Sequence, residues 1–246
     1  MIKEQKEWFI EWFDTPFYHK LYKSRNYTEA QHFIDKLEKL LDFKNTDSFL
    51  DLACGKGRHS IYLNAKGYDV TGIDLSPNNI KEANLSANAN LHFAVHDMRE
   101  TFRSNSFDFV LNLFTSFGYF EDNNDNFRAI KAVSENLKSD GKLVLDYMNS
   151  TKAVKNLTNY YEKEVDGIKF IITKTIEQGF ILKNIDFDYE NQHYRFQERV
   201  KALNFEDFNA YFEVAKMTCK AVYGNYNLEP FDVEDSDRMI FVVEKI

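Results

Sequence analysis

The segment Asp51-Leu52-Ala53-Cys54-Gly55-Lys56-Gly57 constrains this chain more than any other. Ser48 to Leu52 reads as a short apolar strand, and it runs straight into the glycines. Glycine lets the backbone turn sharply and lets a ligand approach without a Cβ in the way. A helix from about His59 to Ala65 follows, ended by Gly67. Strand, glycine turn and helix together open a parallel sheet, in which ligands bind at the carboxyl ends of the strands.

The alternation continues. Tyr68 to Ile73 is a second strand, finishing at Asp74, and Ser76 and Pro77 form an N-cap and first-turn pair. Leu91 to Val95 and Phe107 to Leu113 read as the third and fourth strands. A helix around Phe127, Ile130, Val133 and Leu137 leads through Asp140-Gly141 to a fifth, Leu143 to Met148. After Asn149 the pattern changes. Phe170 to Ile176, Phe180 to Tyr189 and His193 to Val200 predict a small antiparallel sheet. Phe205 to Val214 returns to helix, and Met217 to Tyr223 and Met239 to Glu244 would form a closing antiparallel pair.

Upstream, Trp8 to Tyr22 is aromatic and broken by Pro16, which suggests one or two short helices. The next helix carries Ala30, Phe33, Ile34, Leu37, Leu40 and Leu41 at helical period, with Thr28 and Gln31 at capping-box spacing. The expected fold is α/β: a Rossmann-like, doubly wound, mostly parallel seven-stranded sheet with an antiparallel last strand, plus an inserted antiparallel β lobe. The expected division is 1–45 as a helical lid, 46–150 with 202–246 as the sheet domain, and 151–201 as the lobe, a substrate cap or dimer contact.

Three acidic positions follow the strands. Asp51 lies at the first strand–loop junction, Asp74 ends the second strand, and Asp97-Met98 follows the third. A carboxylate at Asp74 can accept from both ribose hydroxyls. Asp97 can accept from an adenine amino group, and Met98 can contact the ring. These features also fit a nicotinamide dinucleotide. Two details favour S-adenosylmethionine (SAM). Ser60 occupies the third glycine position of a dinucleotide loop, and Asp51 suits an ammonium but sits badly beside a pyrophosphate.

The run Phe49 to Gly57 resembles motif I of the class I SAM-dependent methyltransferases, and Asp74, Asp97 and the fourth-strand stretch resemble the later motifs in order. The pattern is similar to small bacterial enzymes that include amino-sugar N,N-dimethyltransferases, sharing the Ala-Cys-Gly-x-Gly loop and the triplet Asp97-Met98-Arg99. One departure is Ala53, where many such enzymes have glycine; a negative φ is expected there. The resemblance implies cofactor contacts from Tyr22, Arg25, Asp51, Ala53, Gly55, Gly57, Asp74, Leu75, Asp97, Met98 and Leu113. Tyr18, Tyr22 and Arg25 match its Tyr-x-x-x-Tyr-x-x-Arg pattern, in which the second Tyr and the Arg close over the methionine carboxylate. It also implies that Tyr119 orients the acceptor or helps take its proton. Phe117 could face the cationic methyl.

The expected reaction moves the SAM methyl to nitrogen or oxygen of a small molecule and leaves S-adenosylhomocysteine (SAH). The alternatives are a SAM-binding protein without catalysis and a nicotinamide-dependent oxidoreductase. The net charge of -8 argues against a nucleic-acid partner. With only Cys54 and Cys219, the chain has no disulfide framework, and no cluster suggests a metal. The opening residues lack the apolar core of a signal peptide, and no apolar run approaches a bilayer span. A cytoplasmic location without membrane partners is expected, and the resemblance leans towards a homodimer. His96 and the cysteines read as structural, and Glu234 to Arg238 as a solvated loop.

Overall fold

A computed structural model describes residues 8–23 and 27–246; Arg25 lies outside the described residues. Three helices come first, α1 (Trp8–Trp12), α2 (Pro16–Leu21) and α3 (Tyr27–Leu41). The alternation runs through β1 (Ser48–Leu52), α4 (Arg58–Ala65), β2 (Asp69–Asp74), α5 (Pro77–Ala83), β3 (Leu91–Val95), β4 (Phe107–Asn112), α6 (Asn123–Asn136) and β5 (Leu137–Met148). After α7 (Ser150–Lys155) come β6 (Tyr160–Val165), β7 (Ile168–Glu177), β8 (Phe180–Tyr189) and β9 (Gln192–Lys201). The chain ends with α8 (Phe205–Val214), β10 (Met217–Tyr223) and β11 (Arg238–Lys245).

The main sheet has seven strands in the order β10-β11-β5-β4-β1-β2-β3. Strands β3, β2, β1, β4 and β5 are parallel, and β11 is antiparallel to both β5 and β10. The order reverses beside β1, so a crevice opens at the carboxyl ends of β1 and β4, where ligands bind in such sheets. Both faces of β1 are covered. Leu50 and Leu52 pack with β5, and Phe49 packs under α3 with Phe43 and Tyr68. That double burial explains the apolar run. Asp51, 1% exposed, is the one charged residue within it.

The other four strands form a separate antiparallel sheet, β6-β7-β8-β9. Its apolar face, with Ile168, Phe170, Ile172, Ile185 and Phe187, is buried against Trp12 and Leu21 of the N-terminal helices. Each such side chain contributes about 1.5–3 kcal/mol on burial, so α1, α2 and the lobe are held as one layer.

Three local expectations change. Helix α3 starts at Tyr27, which puts Thr28 inside the first turn rather than at its cap. Strand β6 adds a fourth strand to the expected antiparallel sheet: it alternates exposed and half-buried residues and has no buried apolar face to announce it. Strand β5 starts at Leu137, and the Asp140-Gly141 turn signal becomes an irregularity within it, since Phe107 pairs with Leu137 but Phe109 with Lys142.

Candidate cofactor and acceptor site

A cavity of about 320 Å³ lies at the carboxyl ends of β1 to β4, beneath α1 and α2. Its floor is the glycine loop. Gly55 and Gly57 have φ of 56° and 81°, and a Cβ on Gly57 would stand 2.7 Å from the Phe93 ring. Ala53 also has a positive φ, 60°, contrary to the sequence expectation. The turn out of β1 demands the left-handed region, and an L-residue bears about 1–2 kcal/mol there.

Asp51 lines the cavity and accepts from the Ser60 hydroxyl at 2.5 Å and from the Ser60 amide. Ser60 at the third glycine position therefore anchors this carboxylate. Burial pushes the Asp51 pKa up to about 6, against the pull of Ser60 and Arg58. Asp74 accepts from the amides of Gly55 and Ser76, each at 2.8 Å, and so ties the glycine loop to the start of α5. Burial raises its pKa despite those bonds. The Asn79 side chain also bonds to it, and since a carboxylate offers about four acceptor positions, one stays open to a ligand hydroxyl. Leu75, Met98 and Leu113 line the same space.

Asp97 is also in the wall, but the Arg99 guanidinium grips both its oxygens at 2.6–3.0 Å. Burial works against the charge, yet the Arg99 hydrogen bonds outweigh it and hold Asp97 below the ordinary carboxylate range. His96, read as structural, lines the cavity too, with Nε2 3.0 Å from the Glu100 carbonyl. Cys54 is 6% exposed, and burial raises its thiol pKa well above the usual value.

Helices α1 and α2 close the upper side. Asp14 accepts from Ser76 Oγ and from Asn78 Nδ2, and His19 Nε2 lies 2.9 Å from Asn79 Oδ1. These contacts fasten the segment over the start of α5. Tyr18 and Tyr22 line the cavity. The Tyr22 hydroxyl, however, donates to Glu198 at 2.6 Å and receives Lys183 Nζ at 2.5 Å. Trp12 Nε1 also donates to Glu198, at 2.8 Å. Tyr22 thus links the cavity wall to the lobe, a tie between distant segments that no local pattern announces. Among the described residues none of the lobe lines the cavity, because α1 and α2 stand between.

The loop after β4 builds the remaining wall. Phe114 and Thr115 both have φ of 60°, which is rare for two consecutive residues other than glycine and marks strain. Asp146, fully buried, holds this turn: its carboxylate accepts from the Phe114 amide at 2.7 Å and its carbonyl from the Thr115 amide at 2.9 Å. Arg238 pairs with Asp146 at 2.6 Å and donates to Thr115 Oγ1 at 2.9 Å. Arg238 is therefore not the end of a solvated run, and neither residue was legible as part of a site. Tyr119 lines the cavity, with its hydroxyl donating to the Thr115 carbonyl and its ring 5.3–6.0 Å from those of Trp8, Phe9 and Phe13. Phe117 is 1% exposed and packs on Phe208 instead of facing the cavity.

Two further wall residues escaped the sequence reading, Arg58 and His59 at the start of α4. The Arg58 guanidinium lies 4.1 Å over the Phe114 ring. His59 is buried, and burial drives its pKa well down. Among the described residues, no group of three His, Cys, Asp or Glu is placed to hold a metal ion, and no helix is long and apolar enough to cross a membrane.

Residues 49–141 match a family model described as a methyltransferase domain. The Bacillus subtilis protein YqeM is 41% identical over 42% of this chain and 43% of its own. A dTDP-3-amino-3,4,6-trideoxy-alpha-D-glucopyranose N,N-dimethyltransferase of Streptomyces venezuelae is 30% identical over 40% of this chain and 41% of its own. The chain therefore spans less than half the length of these two relatives. An S-adenosylmethionine-dependent methyltransferase from Clostridium acetobutylicum has the same fold, with a TM-score of 0.80 over 93% of this chain and 96% of that one, at 23% identity.

Proposed function

We propose that the chain is a class I SAM-dependent methyltransferase that methylates an amine nitrogen of a small molecule; the match of residues 49–141 to a methyltransferase domain and the shared fold support the first part. One observation carries the cofactor assignment. Asp51, Asp74 and Asp97 stand at the ends of adjacent strands β1, β2 and β3 in one cavity wall. That row suits an ammonium, a ribose hydroxyl and an adenine amino group in turn. A dinucleotide would bring a pyrophosphate to Asp51, which disfavours the oxidoreductase reading.

The cofactor supplies a methyl group activated by its sulfonium and leaves as SAH. The protein's part is to align and enclose. Gly55 and Gly57 admit the ligand close to the backbone, Leu75, Met98 and Leu113 give apolar contact, and α1 and α2 act as a lid that excludes water. Tyr119 orients the acceptor. Phe9 and Phe13 line the space beside it, and aromatic faces favour the positive charge that a methylated amine carries. An alcohol would need a base. His59 is a poor one, since burial lowers its pKa. The amino-sugar dimethyltransferase of S. venezuelae, by its name, also acts on nitrogen. In this reading the lobe shapes acceptor choice through the lid, and its edge strand β6 is the contact of a homodimer.

Calorimetry with SAH tests the core of this reading. Folded protein that gives no heat overturns it. Asp74→Ala should weaken SAH binding roughly 10- to 100-fold, the worth of charge-assisted hydrogen bonds. An SAH-release assay over matched amines and alcohols tests the acceptor, and turnover of alcohols alone would overturn the amine assignment.

A further inference from the structure

Asn79 of α5 is 4% exposed, and both ends of its side-chain amide are engaged. Its Oδ1 lies 2.9 Å from Nε2 of His19 on α2. Its Nδ2 donates to the Phe13 carbonyl at 3.4 Å, and the same side chain donates to the Asp74 carboxylate. A side-chain amide has an oxygen that accepts and a nitrogen that donates twice. The Phe13 carbonyl and the Asp74 carboxylate can only accept, so the nitrogen must face them and the oxygen must face His19. The His19 Nε2 therefore carries a hydrogen.

Asn79 thus joins two parts of the molecule. On one side are α1 and α2, which Asp14 also ties to Ser76 and Asn78 at the start of α5. On the other is Asp74, whose two oxygens accept the Gly55 and Ser76 amides. Those amides belong to the backbone and fix where the carboxyl group sits. The Asn79 nitrogen fills a further position and so decides in which direction the remaining one points. Turned over, the amide would set its oxygen against the carboxylate and the Phe13 carbonyl, two unpaired acceptors in a buried place. A donor at His19 excludes that arrangement.

We propose that His19 and Asn79 are positioning residues: His19 fixes the Asn79 amide, and the fixed amide aims the open acceptor position of Asp74 at a ribose hydroxyl of the cofactor. The assignment rests on the reading of this cavity as a SAM site with Asp74 at its ribose. Docking of α1 and α2 then strengthens ribose binding by a route that needs no contact between those helices and the sugar. The coupling is reciprocal, so a bound ribose also holds the two helices down.

The test is a double-mutant cycle read by calorimetry with SAH. His19→Phe keeps a ring in place and removes the donor. It should weaken SAH roughly 3- to 10-fold, the worth of one neutral hydrogen bond. In an Asp74→Ala background the same change should cost no more than about 1.3-fold, because the relay then leads nowhere. Asn79→Leu should show the same dependence on Asp74. His19→Gln, which keeps an N–H donor, should restore most of the affinity. An equal loss in both backgrounds would mean that His19 acts by another route, and no loss in either would mean that the amide needs no such hold; each overturns the proposal. Wild-type protein that binds no SAH would overturn the SAM reading itself. A second measurement leaves Asp74 intact. His19→Phe should weaken adenosine but not 2′,3′-dideoxyadenosine, since only the first presents ribose hydroxyls to Asp74. An equal effect on both nucleosides would refute the proposal even if Asp74→Ala fails to fold.

Discussion

Replacing Asp146 with alanine should destabilise the protein by about 3 kcal/mol, the low end of the range for breaking a buried ion pair. Asp146 is fully buried and accepts from the Phe114 amide, from Arg238 and from the Tyr226 hydroxyl at 3.2 Å. Its removal leaves the guanidinium and the amide without this acceptor. The low end applies because the Arg238 side chain, 18% exposed, reaches some water and keeps Thr115 Oγ1 as an acceptor. Against a typical total of about 5–15 kcal/mol the loss is large. In a chain of this size it corresponds to a fall in Tm of roughly 6–12 °C. Urea unfolding followed by far-UV circular dichroism gives the free energy directly. Phe114 should then relax from its left-handed conformation, so SAH affinity should fall as well. A loss below about 1 kcal/mol, or full stability with unchanged SAH binding, would refute the claim that this pair holds the turn. Arg238→Met added to Asp146→Leu should recover part of the loss, because removing both charges is milder than stranding one.

Asp51 sets two opposite pH trends. Its folded pKa, about 6, lies above the unfolded value, so its stabilising contribution is full below the unfolded pKa and is lost as pH rises through about 6. Ligand-free protein should therefore lose some stability over that window, and Asp51→Asn should flatten that part of the Tm profile. SAH binding should instead strengthen from pH 5 to pH 7, roughly tenfold, as Asp51 ionises to meet an ammonium that stays protonated; a flat wild-type profile would remove Asp51 from that role. Ala53→Gly should hold or raise stability by up to about 1 kcal/mol, whereas the same change in ordinary helical or strand backbone destabilises; a clear loss in thermal melts would contradict the positive φ. Gly57→Ala should abolish tight SAH binding and lower Tm, because the new Cβ meets the Phe93 ring at 2.7 Å in a left-handed backbone, and wild-type affinity would show that the loop is less constrained than its geometry indicates.

The central parallel strands were legible because they are buried on both faces and are punctuated by turn residues: Ser48–Leu52 falls where the pattern puts it, and Phe107–Asn112 ends one residue earlier. The edge strand Leu91–Val95 and the antiparallel strands Phe180–Tyr189 and Met217–Tyr223 also fall where expected, bounded by turn residues. The acidic residues at the strand ends were legible for the same reason, since the ends of β1, β2 and β3 share one edge. What escaped is non-local. Nothing near Glu198 reveals that Tyr22 reaches it, and nothing in Glu234 to Arg238 reveals that its last residue turns inward to Asp146. Ala53 misled because a residue type reports what backbone it prefers, while the turn after β1 imposes what it receives. His59 was hidden by composition, since one histidine at a helix start carries no pattern.

The two ends of the lobe sit almost on top of one another. The Tyr147 hydroxyl donates to the Lys201 carbonyl at 2.5 Å, and Ser150 Oγ donates to the Leu203 carbonyl at 2.6 Å. The sheet meets the same pair of endpoints whatever lies between them, and loop closure grows only slowly more costly with length. In the history of such a gene, that excursion is free to lengthen, shorten or be exchanged without shifting the register of β5. It is not free of the first helices, because Trp12 and Leu21 lie in its core. The lobe and the first two helices should therefore drift together across descendants as one unit of inheritance, while the strand ends beneath them stay still.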